Sequence, residues 1–306
     1  MNKRDPEYDR FGPWVIEISD EDPPPPIFLP YLTREETPLL SVKIPRKIER
    51  RNANPGMNLY DYLVTLYEED VVILQRVEAD VLSHNFYYRD VKYLRQHESL
   101  LKGILHLAMG EKSFDLPFNT VSAGLMLKVR DLIRSRYVDG YARVEMAEDV
   151  PLAEDELSFF FTHLLEEQKA RNPQIQVLAS QVDTAIATHE TKAWRRVLLG
   201  MIRKTLLESL HLTNGRELKI ISREKIYKYQ WQTIHGKDIC TIPIENITAV
   251  NWEADAQNTA VLNLHFETAG GTVSYAMMRD NGTLPSYEHF LAGIGQAEES
   301  KTSLQV

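Results

Sequence analysis

Apolar and polar positions follow two different periods along this chain. From Leu210 to Ile294 apolar residues alternate with polar ones in short runs broken by turn residues, the period-two pattern of half-buried strands. Asn214-Gly215 lies between Leu210-His211-Leu212 and Leu218-Lys219-Ile220-Ile221, and its tolerance of positive φ suits a tight hairpin. Further strands are predicted at Lys225–Trp231, Ile239–Ile244, Ile247–Trp252, Val261–Phe266 and Thr272–Tyr275. The turns between them fall at His235–Asp238, Glu245-Asn246 and Gly270-Gly271. After Asn281-Gly282, Pro285 opens a short helix through Phe290, Leu291 and Ile294, because a first-turn amide has no partner to lose.

A looser echo runs from about Tyr62 to Tyr137. Tyr62–Leu66 and Val71–Leu74 pair across Glu68-Glu69-Asp70, and Val81–Tyr88 adds another strand. Tyr88–Leu94 is expected to stand where Ile244–Val250 stands, and Ile104–Leu107 is matched with Val261–Leu264. A turn at Gly110-Glu111-Lys112 leads into Ser113–Phe118, then into a helix capped by Asn119 or Thr120 with Leu125, Leu127, Val129, Leu132 and Ile133 apolar. The alternative to a duplication is one α+β domain whose strands mimic the order.

Between these stretches the period lengthens to that of a helix. One helix is predicted from Ala153-Glu154-Asp155-Glu156 through Phe159, Phe160 and Leu164 to Lys169, stopped by Asn172-Pro173. A second covers Ile175–Ala187 and a third Thr191–Leu210. In the third, Trp194, Val197, Leu198, Met201 and Ile202 form an apolar arc opposite Arg196, Arg203 and Lys204. The N-terminal stretch differs again. A short strand at Trp14–Ile18 precedes Pro23–Pro26, which can continue neither a helix nor a central strand. Phe11, Trp14, Phe28 and Tyr31 suit an arm strapped over the protein's own body, with docking in a partner's proline groove as the alternative. Lys43, Arg46, Lys47, Arg50 and Arg51 then form a basic run, read either as a solvated linker or as a patch attracting phosphates. Asn54-Pro55-Gly56 marks a boundary.

The segment Ile242–Val250, I-P-I-E-N-I-T-A-V, stands between a turn-bounded strand and the L-N-L-H-F strand Leu262–Phe266. In this it resembles the bacterial relatives of the pleckstrin-homology fold. The resemblance covers the stretch after Leu210 and rests on a hydrophobic pattern without catalytic residues. It implies a bent antiparallel barrel plugged at one end by a C-terminal helix. The lysine and arginine cluster of phosphoinositide binders is missing around Asn214-Gly215-Arg216, so phosphoinositide recognition does not carry over. The expected fold class is α+β: two pleckstrin-homology-like antiparallel β-barrels, each capped by a helix and joined by a helical segment. The expected division is a proline-rich arm at 1–56, a first module at 57–138, a helical connector at 139–209, a second module at 210–297 and a disordered tail at 298–306.

Composition narrows the function. The chain has 306 residues, 43% hydrophobic and 26% charged, enough apolar material for two or three cores, and its net charge of −9 argues against a nucleic-acid-wrapping surface. One cysteine, Cys240, allows no internal disulfide; it shares a strand face with Ile242 and Ile244 and is expected in the core. With no signal-like N-terminus and no long apolar stretch, a soluble, cytoplasmic protein is expected. Nine histidines form no closely spaced pair, and no metal or cofactor is expected. Glu217-Leu218-Lys219 resembles the Glu-x-Lys of metal-dependent nucleases, but the upstream acid, Asp183, falls in a predicted helix and the pair is read as an exposed strand face. The expectation is a non-catalytic adaptor binding protein partners through strand edges, the arm, or the groove beside a capping helix. A peripheral protein on an anionic membrane, using Lys43–Arg51 and the third helix, is one rival, and a metal-dependent nuclease or hydrolase is the other.

Overall fold

Most of the period-two runs are strands in the structure, a computed structural model that describes residues 6–141, 157–186, 204–256 and 258–302. The protein is α+β, built mainly of antiparallel sheet, and divides into two units, Met1–Gly140 and Tyr141–Val306. In the first unit a short helix α1 (Pro6–Arg10) precedes β1 (Ile16–Glu17), β2 (Leu40–Pro45), β3 (Tyr60–Leu66), β4 (Asp70–Val77) and β5 (Asp80–Tyr87), which lie in that order in one sheet. A 3-10 turn, Tyr88–Asp90, leads into the meander β6 (Val91–Ser99), β7 (Lys102–Met109) and β8 (Lys112–Asn119), and helix α2 (Ala123–Tyr137) follows. Asn119 supplies the predicted cap, its side chain accepting the Val121 N–H at 3.0 Å. The buried stripe of α2 is Met126, Val129, Arg130, Ile133 and Tyr137; Leu125, Leu127 and Leu132 flank it half-buried, one helical step from the predicted face.

The N-terminal stretch packs on its own unit. Phe11 and Phe28 sit in a core cluster with Leu59, Tyr60, Leu63, Leu74 and Val81, while Trp14 and Tyr31 point outward. Burying a phenylalanine of this kind is worth roughly 1.5–3 kcal/mol. β1 pairs with β2, and Ile18 N–H donates to Ser41 O at 2.8 Å, so β2 has a neighbour on both sides. The start of the basic run is therefore a strand, not a solvated linker. Lys43 alternates with buried Val42 and Ile44, a strand period that the surrounding cations hide.

In the second unit α3 (Phe159–Arg171) precedes β9 (Gln176–Gln181), β10 (Thr184–Ile186), β11 (Lys204–Leu206), β12 (Ser209–Thr213), β13 (Glu217–Arg223), β14 (Tyr227–Tyr229) and β15 (Lys237–Pro243). After a 3-10 turn, Ile244–Asn246, come β16 (Ile247–Ala254), β17 (Val261–Thr268), β18 (Gly271–Met278) and helix α4 (Leu284–Thr302). β9, β12, β13 and β15 pair in that order, β10, β11 and β14 form a small sheet, and β16–β18 form a meander. The Asn214-Gly215 hairpin forms as predicted, and Asn172 ends α3. The first predicted helix begins on residues outside those described; within them Ser158 caps α3, and the Glu208 carboxylate accepts both the Ser158 N–H at 2.7 Å and its hydroxyl at 2.6 Å.

Several sequence expectations need correction. Of the helix predicted over Ile175–Ala187, residues 175–186 carry β9 and β10 instead, and Ala187 lies outside the described residues; Val177, Leu178 and Ala179 are buried in succession and leave no alternation to read. Of the third predicted helix, residues 191–203, including Arg196 and Arg203, lie outside the described residues, and Lys204 begins strand β11. The strand predicted over Lys225–Trp231 shortens to Tyr227–Tyr229. Helix α4 continues through Thr302 into the predicted tail, and residues 303–306 are outside the described set.

The echo can now be read residue by residue. In each unit a three-residue 3-10 turn opens a three-stranded meander, and both first strands carry a bulge at the same step, between Val91 and Tyr93 and between Ile247 and Ala249. Tyr88–Leu94 thus corresponds to Ile244–Val250, as expected. The second match was displaced: counted from the β7–β8 and β17–β18 turns, Ile104–Leu107 aligns with Asn263–Phe266. A slip of two residues keeps every side chain on its face, so a hydrophobic pattern cannot detect it. Each four-stranded run also has an outer layer. The arm covers it in the first unit, and α3 does so in the second, where Phe161 and Leu164 pack on Leu210, Leu212, Ile221 and Ile239.

Candidate functional site

A groove of about 380 Å³ lies in the second unit between β16 and α4, lined by Ile247, Thr248, Ala249, Val250 and Trp252 on one side and Glu288, Leu291, Ala292 and Ile294 on the other. β16 is an edge strand of its meander among the described residues. An edge presents backbone donors and acceptors to a further strand, and natural edges limit promiscuous pairing with bulges and charges. Here Thr248 sits at the bulge, its hydroxyl donating to Glu267 O at 3.2 Å, and Glu253 is exposed. Val250 and Trp252 are half-buried, Leu291 and Ile294 form the floor, and Glu288 and Ala292 are exposed on the helix rim. The site is apolar with one carboxylate at its lip.

A buried polar network fixes the helix wall. His211 points from β12 away from Leu210 and Leu212, is wholly buried, and its Nδ1 lies 2.8 Å from the Tyr287 hydroxyl of α4. Its Nε2 lies 3.2 Å from the Ser209 hydroxyl. Burial pushes the His211 pKa down to about 3, so the imidazole is neutral at physiological pH, with one nitrogen donating and the other accepting. Burial likewise drives the Tyr287 phenol well above its ordinary value. Trp252 meets the Tyr287 ring edge-on, with centroids 6.0 Å apart. One phenol thus joins β12, α4 and the groove-lining tryptophan.

The cations of the basic run, Lys43 to Arg51, do not form one free surface. Lys43 is buried, its Nζ 3.1 Å from Pro23 O, 3.7 Å from Asp22 and 5.1 Å from the centre of the Tyr60 ring. Burial lowers its pKa, and Asp22 opposes the change. Arg46 reaches Asp61 at 4.0 Å, Arg50 lies over the Tyr8 ring at 4.2 Å and donates to Tyr8 O, and Arg51 pairs with Glu49. Lys47 is exposed. Lys204 holds its Nζ 3.9 Å from the centre of the Tyr227 ring.

The Glu-x-Lys pair is not an exposed face, since Glu217 and Lys219 are 1% and 5% exposed. Lys219 Nζ donates to Gln168 Oε1 of α3 at 2.8 Å, an outer layer that strand alternation cannot foresee. Asp183 lies between β9 and β10 rather than in a helix, and accepts the Glu208 N–H at 2.9 Å. Among the described residues no group of three or more His, Cys, Asp or Glu side chains is placed to hold a metal ion. Cys240 is buried, as expected. No helix among the described residues is long and apolar enough to cross a membrane.

The sequence reading missed His211 and two related surface arrays. His106 on β7 lies 2.6 Å from Asp115 and 3.1 Å from the Tyr93 hydroxyl. His265, at the corresponding position of β17, lies 2.7 Å from the Ser274 hydroxyl and 3.2 Å from Glu253. The corrected register, which aligns His106 with His265, is the signal that exposes the correspondence. Compared with known proteins, the chain matches no family model and no curated sequence.

Proposed function

We propose that the protein is a non-catalytic cytoplasmic adaptor whose two units are pleckstrin-homology-like modules. In this reading the second module holds an extended segment of a protein partner along β16. A run of four paired antiparallel strands (β2–β5 in the first unit; β9, β12, β13 and β15 in the second, with β10, β11 and β14 set aside in a small sheet) precedes a 3-10 turn, a three-stranded meander and a helix in both units, which supports the reading of a repeated helix-capped module. A lone cysteine, buried and outside any disulfide, fits a reducing compartment. Neither metal, cofactor nor nucleic acid has a part in the proposed activity.

The observation that carries the binding role is the apolar groove beside the edge of β16. Strand addition draws affinity from main-chain hydrogen bonds and specificity from alternate side chains entering a pocket. The proposed occupant is an extended peptide with apolar side chains at alternate positions and a lysine or arginine opposite Glu288. A displayed library of linear peptides selected on the full chain tests this, with affinities then measured by fluorescence anisotropy. Ala292→Arg fills the groove from the exposed helix rim and should weaken selected peptides at least about tenfold, while Glu288→Lys should reverse the preference for a basic residue. Failure to enrich peptides, or binding indifferent to Ala292→Arg, would sink the reading.

A further inference from the structure

The lining of the β16 groove combines one charge with one large aromatic ring, and the two together favour a particular cation. Glu288 on α4 is exposed and makes no hydrogen bond or ion pair among the described residues. Its carboxylate is the only charged group among the residues that line the groove. A free carboxylate beside apolar walls favours a cationic guest, and the net charge of −9 on the chain helps to draw one in.

Trp252 decides which cation fits. It lines the groove from β16 and is half-buried, so part of its indole stays open to a guest. The ring is braced from behind: it stands at 86° to the Tyr287 ring with centroids 6.0 Å apart, a favourable edge-to-face contact. Tyr287 is itself wholly buried, and its hydroxyl lies 2.8 Å from His211 Nδ1. Tyr287 also directly precedes Glu288 on α4, so the brace and the free carboxylate belong to the same turn of helix. A lysine ammonium would answer Glu288 alone. It is a compact, strongly hydrated charge, and apolar walls such as Val250 and Leu291 would strip its water without replacing it. An arginine guanidinium is planar and more weakly hydrated. One flat face can lie on an indole while its in-plane N–H groups donate to a carboxylate, and its methylene stem covers apolar surface.

We propose that the partner strand is recognised by an arginine, whose guanidinium lies on the Trp252 indole and pairs with Glu288. The inference rests on the reading that an extended peptide adds to β16. It supplies the identity of the basic residue and makes Trp252, held by Tyr287, the residue that distinguishes arginine from lysine.

Fluorescence anisotropy with the tightest peptide selected on the full chain tests the proposal. Its basic residue is made arginine, lysine or citrulline in turn, citrulline keeping the shape of arginine without its charge. Arginine should bind wild type about fivefold tighter than lysine and at least about tenfold tighter than citrulline. Trp252→Leu keeps an apolar wall and should cut the arginine-to-lysine ratio to below about twofold, while Glu288→Gln should bring arginine and citrulline together. Each ratio compares peptides on one protein, so a variant of altered stability still reports it. Equal affinity for arginine and lysine in wild type overturns the proposal, as does an arginine preference that survives Trp252→Leu, or a selection whose peptides carry no basic residue. Those results leave the groove reading standing as long as Ala292→Arg still weakens binding. Binding indifferent to Ala292→Arg, or no enrichment of peptides at all, removes the groove reading and this inference with it.

Discussion

Acid should loosen the second unit through His211 specifically. Its imidazole is wholly buried among Ser209, Tyr287 and the edge of the Tyr275 ring, and burial holds its pKa near 3 against an ordinary value of 6.5. Because the folded pKa is depressed, the unfolded chain takes the proton first. The stabilisation is complete above pH 6.5 and is lost as pH falls from 6.5 towards 3. Between pH 6.5 and about 4.5 the loss comes to about 2 kcal/mol, from 1.36 kcal/mol for each tenfold change in the proton equilibrium. Native-state hydrogen exchange of the β12 amides reads this locally and avoids assuming that both units unfold together. His211→Gln removes the titration. That variant should be less stable near neutrality by about 1–3 kcal/mol, but its β12 opening energy should fall less with acid than that of wild type. Equal pH slopes for the two proteins would refute the reasoning. So would a β12 more stable at pH 5 than at pH 7 in wild type alone.

Two further perturbations probe the first unit. Phe28→Ala empties a fully buried site under the arm and should cost about 3–5 kcal/mol in urea unfolding while opening the proline-rich stretch to proteolysis; a loss under about 1 kcal/mol would mean that the arm does not rest on this core. Glu78 has φ +56° in the β4–β5 turn and an exposed side chain, so Glu78→Gly should stabilise by about 0.5–1 kcal/mol. A destabilised Glu78→Gly variant in the same urea assay would show that the Glu78 side chain contributes more than its backbone costs.

What could be read from the sequence followed from where each strand has one covered face. β12, β13 and the β16–β18 meander show alternation or strong turn residues, and their order was legible. β9 was not, because Val177 packs towards α3 while Leu178, which points to the opposite face, is buried just as fully. Cover on both faces erases the period. Lys43 and Lys219 misled for a related reason: each lies on a strand face that looks solvent-directed until the arm or α3 covers it. His211 was hidden in the opposite sense, a polar residue alternating with Leu210 and Leu212 yet turned inward towards Tyr287. The groove was only anticipated in kind, as a groove beside a capping helix. Its lining joins Val250 and Trp252 to Leu291 and Ala292, and no local pattern links those positions.

The central claim, that an extended peptide adds to β16, is tested most directly by amide exchange of β16 while a selected peptide is titrated onto the full chain. Strand addition predicts new protection on alternate amides between Thr248 and Ala254, with Ala292→Arg abolishing it. Protection confined to other strands, with β16 amides exchanging as in the free protein, would contradict the account.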